Sequence, residues 1–501
     1  MKHTSAIIMA AGLGTRMRSK TVKVLHQVAG RPMVWYMVSL ARQVADGNVV
    51  AVLGHQSDRV KAFFTQIKDQ IDPIDVALQT QQLGTGHAVL QAKTSLMDQG
   101  RAVAKQCLIL NGDTPLLTRE TVQLLLAQHE QEQAMLTMLT ARLDNPKGYG
   151  RVVRGFDNHV TKVVEDRDAT SQEIAIQEVT VGTYVVNTQF LFEALDQLSP
   201  NNAQGEYYLT DIIGMAVSAG HRVSAVMAVN EDECMGINTR EQLAYAERVM
   251  RQRMCTRWML AGVTMIDPAT TLIDEQVTLG QDTILYPGVT LEGATKIGDD
   301  CVIRAHSRIT NSTIATQVRI EDHCIVENAV VESMATVGPF ARLRPGAVLR
   351  SKAKVGNFVE LKNAELGQGA KANHLTYLGD ATIGQNVNIG AGTITCNYDG
   401  YRKEKTIIED DVFIGSDTQF IAPIVVGKGA VVGAGSTITR NVPPGALTLS
   451  RSEQVNHEGW AEKRRAYHDG SAKRDGAKGQ KSLGKAPVAK AAKSDKKSKK
   501  R

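Results

Sequence analysis

The sequence predicts two folds in one chain: an α/β domain with a mostly parallel, Rossmann-like sheet, followed by a parallel β-helix of hexapeptide repeats. Three observations carry this. Up to about residue 230, short apolar strands alternate with helical stretches, the signature of strands laid parallel by crossovers. Residues 239–261, TREQLAYAERVMRQRMCTRWMLA, place Leu243, Ala246, Met250, Met254 and Trp258 at helical intervals. Beyond them Leu279, Leu285, Leu291, Ile297, Ile303 and Ile309 fall every six residues, as do Ile408, Ile414, Phe420, Val426, Val432 and Ile438. Neither a helix nor an open sheet keeps a six-residue stripe on one face, whereas stacked short coils do.

At 501 residues the chain exceeds what one core supports. The expected boundaries are 1–232 for the α/β domain, 233–262 for a connecting helix, 263–455 for the β-helix and 456–501 for a basic, structureless tail. In the first domain the strands are AIIMA (6–10), VVAVLG (49–54), VALQT (76–80) and CLILNGD (107–113), with helices over Met33–Ala45 and Ala88–Met97. In the β-helix one aliphatic per hexad points inward, and Gly415, Gly427 and Gly433, just after theirs, are expected to turn corners. The period slips around Ile314–Ile320 and between Ile394 and Ile408. Insertions in solenoids form loops, so CNYDGYRKEK (396–405) is expected to project.

Charge and cysteine usage narrow the class. The chain carries +6 overall, but residues 461–501 hold 15 Lys/Arg and 4 Asp/Glu, a net of +11, which leaves −5 for residues 1–460. That tail reads as a solvated extension or as a weak contact for polyanions. No apolar run approaches the length of a membrane span. The apolar run after Met1-Lys2-His3-Thr4-Ser5 is too short for a signal peptide, so a cytoplasmic location is expected. The six scattered cysteines form no metal pattern and read as free buried thiols.

The candidate chemistry begins where the first strand leaves through MAAGLGTRM. Gly12-x-Gly14 supplies two glycines of a dinucleotide fingerprint, but Met17 stands at the third position and no Gly-Lys-Ser/Thr follows. By themselves these residues fit either a phosphate cradle, with Arg16 and Lys23 adding charge, or an ordinary tight turn. Asp113, in LILNGDTPLL, stands at the C-terminal edge of a strand, where a carboxylate binds metal or caps a turn. A lone histidine such as His374 is as a rule structural.

The motifs MAAGLGTRM, KVLHQVAG, LQTQQLGTGHA, GDTPLL, GYGRVV, NAQGEYYLTDII and GINTREQL follow in order and resemble the sugar-1-phosphate nucleotidyltransferases. FARLRPGAVL, VGNFVELKNAELGQGAKANHLTYLGDATIGQNVNIGAGTITCNYDG and DVFIGSDTQFIAPIVVG resemble the hexapeptide acyltransferases. Together, over about residues 5–460, they resemble the bifunctional N-acetylglucosamine-1-phosphate uridyltransferase/glucosamine-1-phosphate acetyltransferase family. The resemblance implies a left-handed β-helix and a homotrimer. It also implies acetyl transfer from acetyl-CoA to glucosamine-1-phosphate, then uridylyl transfer from UTP, yielding UDP-N-acetylglucosamine for peptidoglycan and other envelope polysaccharides.

Carried over residue by residue, Mg²⁺ falls to Asp113 and Asn238. Lys23 falls to the phosphates, Met9, Ala10, Ala11 and Gly12 to the backbone cradle, and Gln79, Gly84 and Thr85 to the uracil. Gly150, Glu165 and Thr180 fall to the sugar phosphate. In the second half His374 is implied as the base, Arg344 and Lys362 as phosphate ligands, and Tyr377 and Asn388 as sugar ligands. Ala391, Asn397, Tyr398, Ser416, Ala434 and Arg451 are implied around acetyl-CoA. The chain departs from the family at Val22 (proline is usual), Asn111 (tyrosine) and Thr180 (asparagine); the last predicts weaker sugar binding. Two rivals are a nucleotidyltransferase with a regulatory β-helix, as in ADP-glucose pyrophosphorylases, and a non-catalytic translation-factor subunit. The Arg344–Lys362–His374–Tyr377 series weighs against the first, and Asp113 with Asn238 against the second.

Overall fold

The computed structural model describes residues 3–97 and 103–470. They fall into two compact units, Met1–Ser450 and Arg451–Arg501. Within the first unit, nine strands among the described residues form one sheet: β1 (Thr4–Ala10), β2 (Val49–Leu53), β3 (Asp75–Leu78), β4 (Gln106–Asn111), β5 (Leu136–Arg142), β6 (Arg151–Arg154), β7 (Val160–Val164), β8 (Glu178–Asn187) and β9 (Val223–Met227). The order is β9-β5-β8-β4-β1-β2-β3, with the β6–β7 hairpin set against β8. Only β8 and that hairpin pair antiparallel, so the sheet is mostly parallel as expected. Ala6, Ile7, Ile8, Val50, Val52, Leu108 and Ile109 are fully buried, because a parallel strand covered on both faces reads as a continuous apolar run.

The helix expected over 88–97 is instead two short ones, Thr85–Leu90 and Lys93–Leu96. The first starts early because the Gly86 amide is anchored on the Tyr207 carbonyl (2.8 Å). It ends where Gln91 donates to the Ala88 carbonyl three residues back, tightening the last turn. The connecting helix, Arg240–Leu260, opens on a capping box in which the Thr239 hydroxyl takes the Gln242 amide and the Gln242 side chain takes the Thr239 amide. Its buried face is Ala246, Met250, Met254 and Cys255. Among the described residues no helix is long and apolar enough to cross a membrane.

From Thr264 onward, two- to four-residue strands stack into three parallel sheets. Leu285 lies on Ile303, a full coil of three hexads; Ile303 on Ile320 and Ile320 on Val337 are one residue shorter, which accounts for the slip near Ile314–Ile320. Ile303, Ile309, Ile320, Val326 and Val337 are fully buried, each contributing about 1.5–3 kcal/mol.

The corner role expected of Gly415 and Gly427 is corrected. A Cβ on Gly415 would meet the Ala434 amide nitrogen at 2.4 Å, and one on Gly427 the Pro444 nitrogen at 2.5 Å, so these glycines serve close coil approach. The corners are turned by left-handed residues three after each aliphatic, Asp417 and Gly429. The 396–405 segment projects, pinned by a Tyr398–Lys403 bridge, with Tyr401 almost fully exposed.

All six cysteines are free; five are buried and Cys396 is half-buried. In the second unit, a helix spans Trp460–His468, where the sequence reading expected no structure. The stretch Ala461-Glu462-Lys463-Arg464-Arg465-Ala466 consists wholly of strong helix formers, which charge counting overlooks. Residues 471–501 of the tail lie outside the described residues.

Candidate functional sites

The first site forms where β1 and β4 end. The chain leaves β1 through Ala11–Gly14, and Gly14 is required: it sits at φ 63°, and a Cβ there would lie 2.6 Å from the Lys23 Cβ. Lys23 opens a short 3-10 turn, Asp113 follows β4, and Asn238 precedes the connecting helix. The Lys23 ammonium donates to both Asp113 Oδ2 and Asn238 Oδ1. All three side chains are at least half-buried, so this ion pair is screened less than a surface pair. Asn238 is itself held, its amide donating to Gln242 Oε1 at 2.7 Å.

Two adjoining cavities open here, of about 390 and 570 Å³. Both are lined by Met9, Arg16, Thr85, Asn111, Asp113 and Asn238. The larger adds Ala10, Ala11, Gly12, Lys23, Gln79 and Gly84; the smaller adds Gly150, Glu165 and Thr180. Gln79 Nε2 donates to the Gly84 carbonyl (3.0 Å), tying the two positions together. Burial raises the Glu165 carboxyl above the ordinary range, opposed by the Thr210 hydroxyl that donates to it at 2.9 Å. The Thr180 hydroxyl is engaged with the Tyr184 hydroxyl (3.0 Å), and Asn111 donates to the Val181 carbonyl (3.0 Å).

The second site lies on the β-helix wall. His374 is exposed, and its Nδ1 lies 2.8 Å from Asn357 Oδ1, one coil back in direct register. An amide oxygen only accepts, so Nδ1 carries the hydrogen and the Nε2 lone pair is free. Arg344 donates to Glu360 (2.8 Å), and Glu360 pairs in register with Tyr377. The Tyr377 ring needs Gly379, where a Cβ would lie 2.3 Å from the tyrosine oxygen. Lys403, from the projecting loop, lowers the Lys362 ammonium, with Arg344 adding to the effect. Three cations thus converge, with Asp380 held nearby by Asn363 (2.6 Å) and by Asn397. Gly390 and Gly415 leave the backbone bare where Ser416 and Ala434 stack on successive coils.

Comparison with known proteins follows this division. Residues 5–258 match the nucleotidyl transferase family, 268–368 the GMPPB C-terminal domain, and 405–440 six bacterial transferase hexapeptide repeats. The bifunctional protein GlmU of Trichlorobacter lovleyi is 49% identical over 465 residues, covering 93% of this chain and 99% of its own. The chain belongs to the bifunctional GlmU family. The GlmU protein of an Exiguobacterium species is likewise 49% identical, over 91% of this chain and 99% of its own. A solved UDP-glucose pyrophosphorylase bound to UDP-glucose overlaps 50% of this chain at 16% identity and a TM-score of 0.40, too slight to bear on it. With that membership, the nucleotidyltransferase half and the left-handed β-helix of hexapeptide repeats are the fold of this chain.

The structure brings every residue expected around UTP and the sugar phosphate into the two joined cavities. On the β-helix the coil register sets His374 on Asn357, Asn388 on Lys371 and Tyr377 on Glu360, the carboxylate that Arg344 donates to, and Asn397 is buried against Asp380. Ala391 accepts from the Asp417 amide one coil on, and Tyr398 is exposed. Arg451 belongs to the second unit. The sequence reading missed Asn357, Glu360, Asp380, Gln242 and Lys403. Asn357 was within reach of a coil count, since it precedes His374 by one coil; Lys403 was not, because its loop breaks the period.

Proposed function

We propose that this GlmU-family chain performs its two transfers at these two sites, dividing at a connector over residues 233–262 between domains 1–232 and 263–455. The observation that carries the reading is the Lys23–Asp113–Asn238 cluster set between a cavity lined by backbone amides and one lined by Glu165 and Gly150.

In the first site a phosphate oxygen of N-acetylglucosamine-1-phosphate attacks the α-phosphorus of UTP, and pyrophosphate leaves. The barrier is the approach of one anion to another, so positioning and charge neutralisation do most of the work. Lys23 and Arg16 supply positive charge, and the 10–12 backbone admits the phosphates closely. Gln79, Gly84 and Thr85 hold the uracil, while Glu165 and Gly150 orient the sugar. The oxygens of Asp113 and Asn238 already grip a cation, the lysine ammonium, which supports their fit to a hard divalent ion. Asp113 and Asn238 would hold Mg²⁺, which when bound neutralises phosphate charge.

In the second site the amine of glucosamine-1-phosphate attacks the thioester carbonyl of acetyl-CoA, and the CoA thiolate leaves. His374 Nε2 receives the amine proton. Arg344, Lys362 and Lys403 bind the phosphate, and Tyr377 and Asn388 the sugar. Ala391, Asn397, Tyr398, Ser416 and Ala434 surround acetyl-CoA. Phe340, Phe358 and Leu375 stand half-exposed or more along one β-helix corner, which supports a cyclic homotrimer. The free thiols fit a reducing, cytoplasmic setting.

The test is a pair of assays on purified protein. Pyrophosphate should form only with UTP, N-acetylglucosamine-1-phosphate and Mg²⁺ together, and free CoA only with acetyl-CoA and glucosamine-1-phosphate. Absence of either product overturns the corresponding half.

A further inference from the structure

Among the described residues, Arg151 is the largest side chain less than 2% exposed. A guanidinium in such a place is expensive to desolvate and needs close partners. Here it has two: Nη1 donates to the Tyr149 carbonyl, and Nη2 to Asp166 Oδ1 at 2.8 Å. Its Nε is buried with no partner at all. An apolar residue of similar volume would fill this position without that unmet donor.

What the fork joins is informative. Tyr149 precedes Gly150 and Asp166 follows Glu165, so the guanidinium ties together the backbone on either side of the β6–β7 hairpin just where both residues face the smaller cavity. Arg151 pairs in register with Val164 on one side and Val179 on the other. The adjacent Gly150 carbonyl accepts the Thr180 amide at 2.9 Å. The space above Gly150 is tight: a Cβ there would lie 2.8 Å from Val163 and 3.1 Å from Thr180. Gly150, Glu165 and Thr180 therefore stand around one buried cation, although it does not line the cavity itself.

We propose that Arg151 is a positioning residue of the sugar-phosphate wall, acting with Asp166 to fix the spacing between Gly150 and Glu165. This rests on the uridylyl-transfer reading of the cavity. A small displacement of a substrate-orienting wall costs rate without touching the reacting atoms.

The experiment compares the full-length parent with Arg151→Lys, Asp166→Asn and the double variant. In each, KM for N-acetylglucosamine-1-phosphate, KM for UTP and CoA release at the second site are measured. Arg151→Lys keeps the charge but loses the fork. It is expected to lower kcat/KM for the sugar phosphate by roughly 10- to 100-fold, chiefly through KM. KM for UTP should stay within about twofold and CoA release unchanged. Asp166→Asn, which leaves the arginine in place, should move the sugar KM the same way by less, and the double variant should be no worse than Arg151→Lys.

Equal rises in both KM values, a sugar KM that Asp166→Asn does not move, additive losses, or CoA release falling in parallel would each overturn the assignment. The two readings fail separately. If the parent makes no pyrophosphate, the uridylyl-transfer reading is wrong; if the parent does and the variants match it, only the role of Arg151 is wrong.

Discussion

The Asn357–His374 pair makes a prediction whose size follows from its geometry. The two residues sit in register on adjacent coils with Oδ1 and Nδ1 2.8 Å apart, and the imidazole is otherwise exposed. Asn357→Ala removes that acceptor. One hydrogen bond between neutral groups is worth about 0.5–1.5 kcal/mol net. The ring also loses its fixed tautomer and orientation, which brings the expected cost to about 1–2 kcal/mol. That is roughly a 5- to 30-fold fall in kcat/KM for CoA release. Asn357→Asp keeps an acceptor oxygen and should retain more activity than the alanine variant. Pyrophosphate release from the same preparations is the internal control. A kcat/KM for CoA release within twofold of the parent, or a fall shared by pyrophosphate release, would refute the claim that this amide orients the base.

Three further perturbations have defined outcomes. Val22 sits at φ −55°, a value proline adopts without strain, so Val22→Pro should raise stability by about 0.4–1 kcal/mol, read as a higher Tm with uridylyl transfer preserved. Burial, with Lys105 adding to it, holds the His129 imidazole down at about 4, against 6.5 for an open chain. Between those values the unfolded chain binds the extra proton, so stability is full above pH 6.5 and falls by up to roughly 3 kcal/mol as pH drops toward 4. Denaturant midpoints of His129→Gln should lose that part of the slope. Because burial raises Glu165, it takes its proton earlier on acidification than an exposed glutamate. The difference in sugar-phosphate KM between the parent and Glu165→Gln should therefore narrow as pH falls from 8 to 5; a constant ratio would mean that the ionised carboxylate is not what binds the sugar.

How much of this was legible in the sequence differs between the halves. The stripe from Leu279 to Ile309 disclosed the β-helix because each hexad repeats the same burial requirement. The slip at Ile314–Ile320 became intelligible only once coil lengths were known. Gly415 and Gly427 of the Ile408–Ile438 stripe were visible but their reason was not, since a clash with Ala434 or Pro444 requires the neighbouring coil. Lys23, Asp113 and Asn238 span more than two hundred residues, so only their motifs marked them, and their convergence is a product of the sheet order. Arg151 gave no signal, because it acts through partners across the hairpin that local spacing does not reveal, whereas Asn357 could be found only by counting one coil back from His374. At Trp460–His468 local propensity outweighed the composition of the surrounding tail.

The central claim is that one polypeptide holds two independent reaction centres, and cross-testing two variants measures it most directly. Asp113→Ala should abolish pyrophosphate release and leave CoA release at the parent rate. His374→Ala should lower CoA release by roughly 10²- to 10⁴-fold and leave pyrophosphate release intact. Loss of both products from either single substitution would contradict the account.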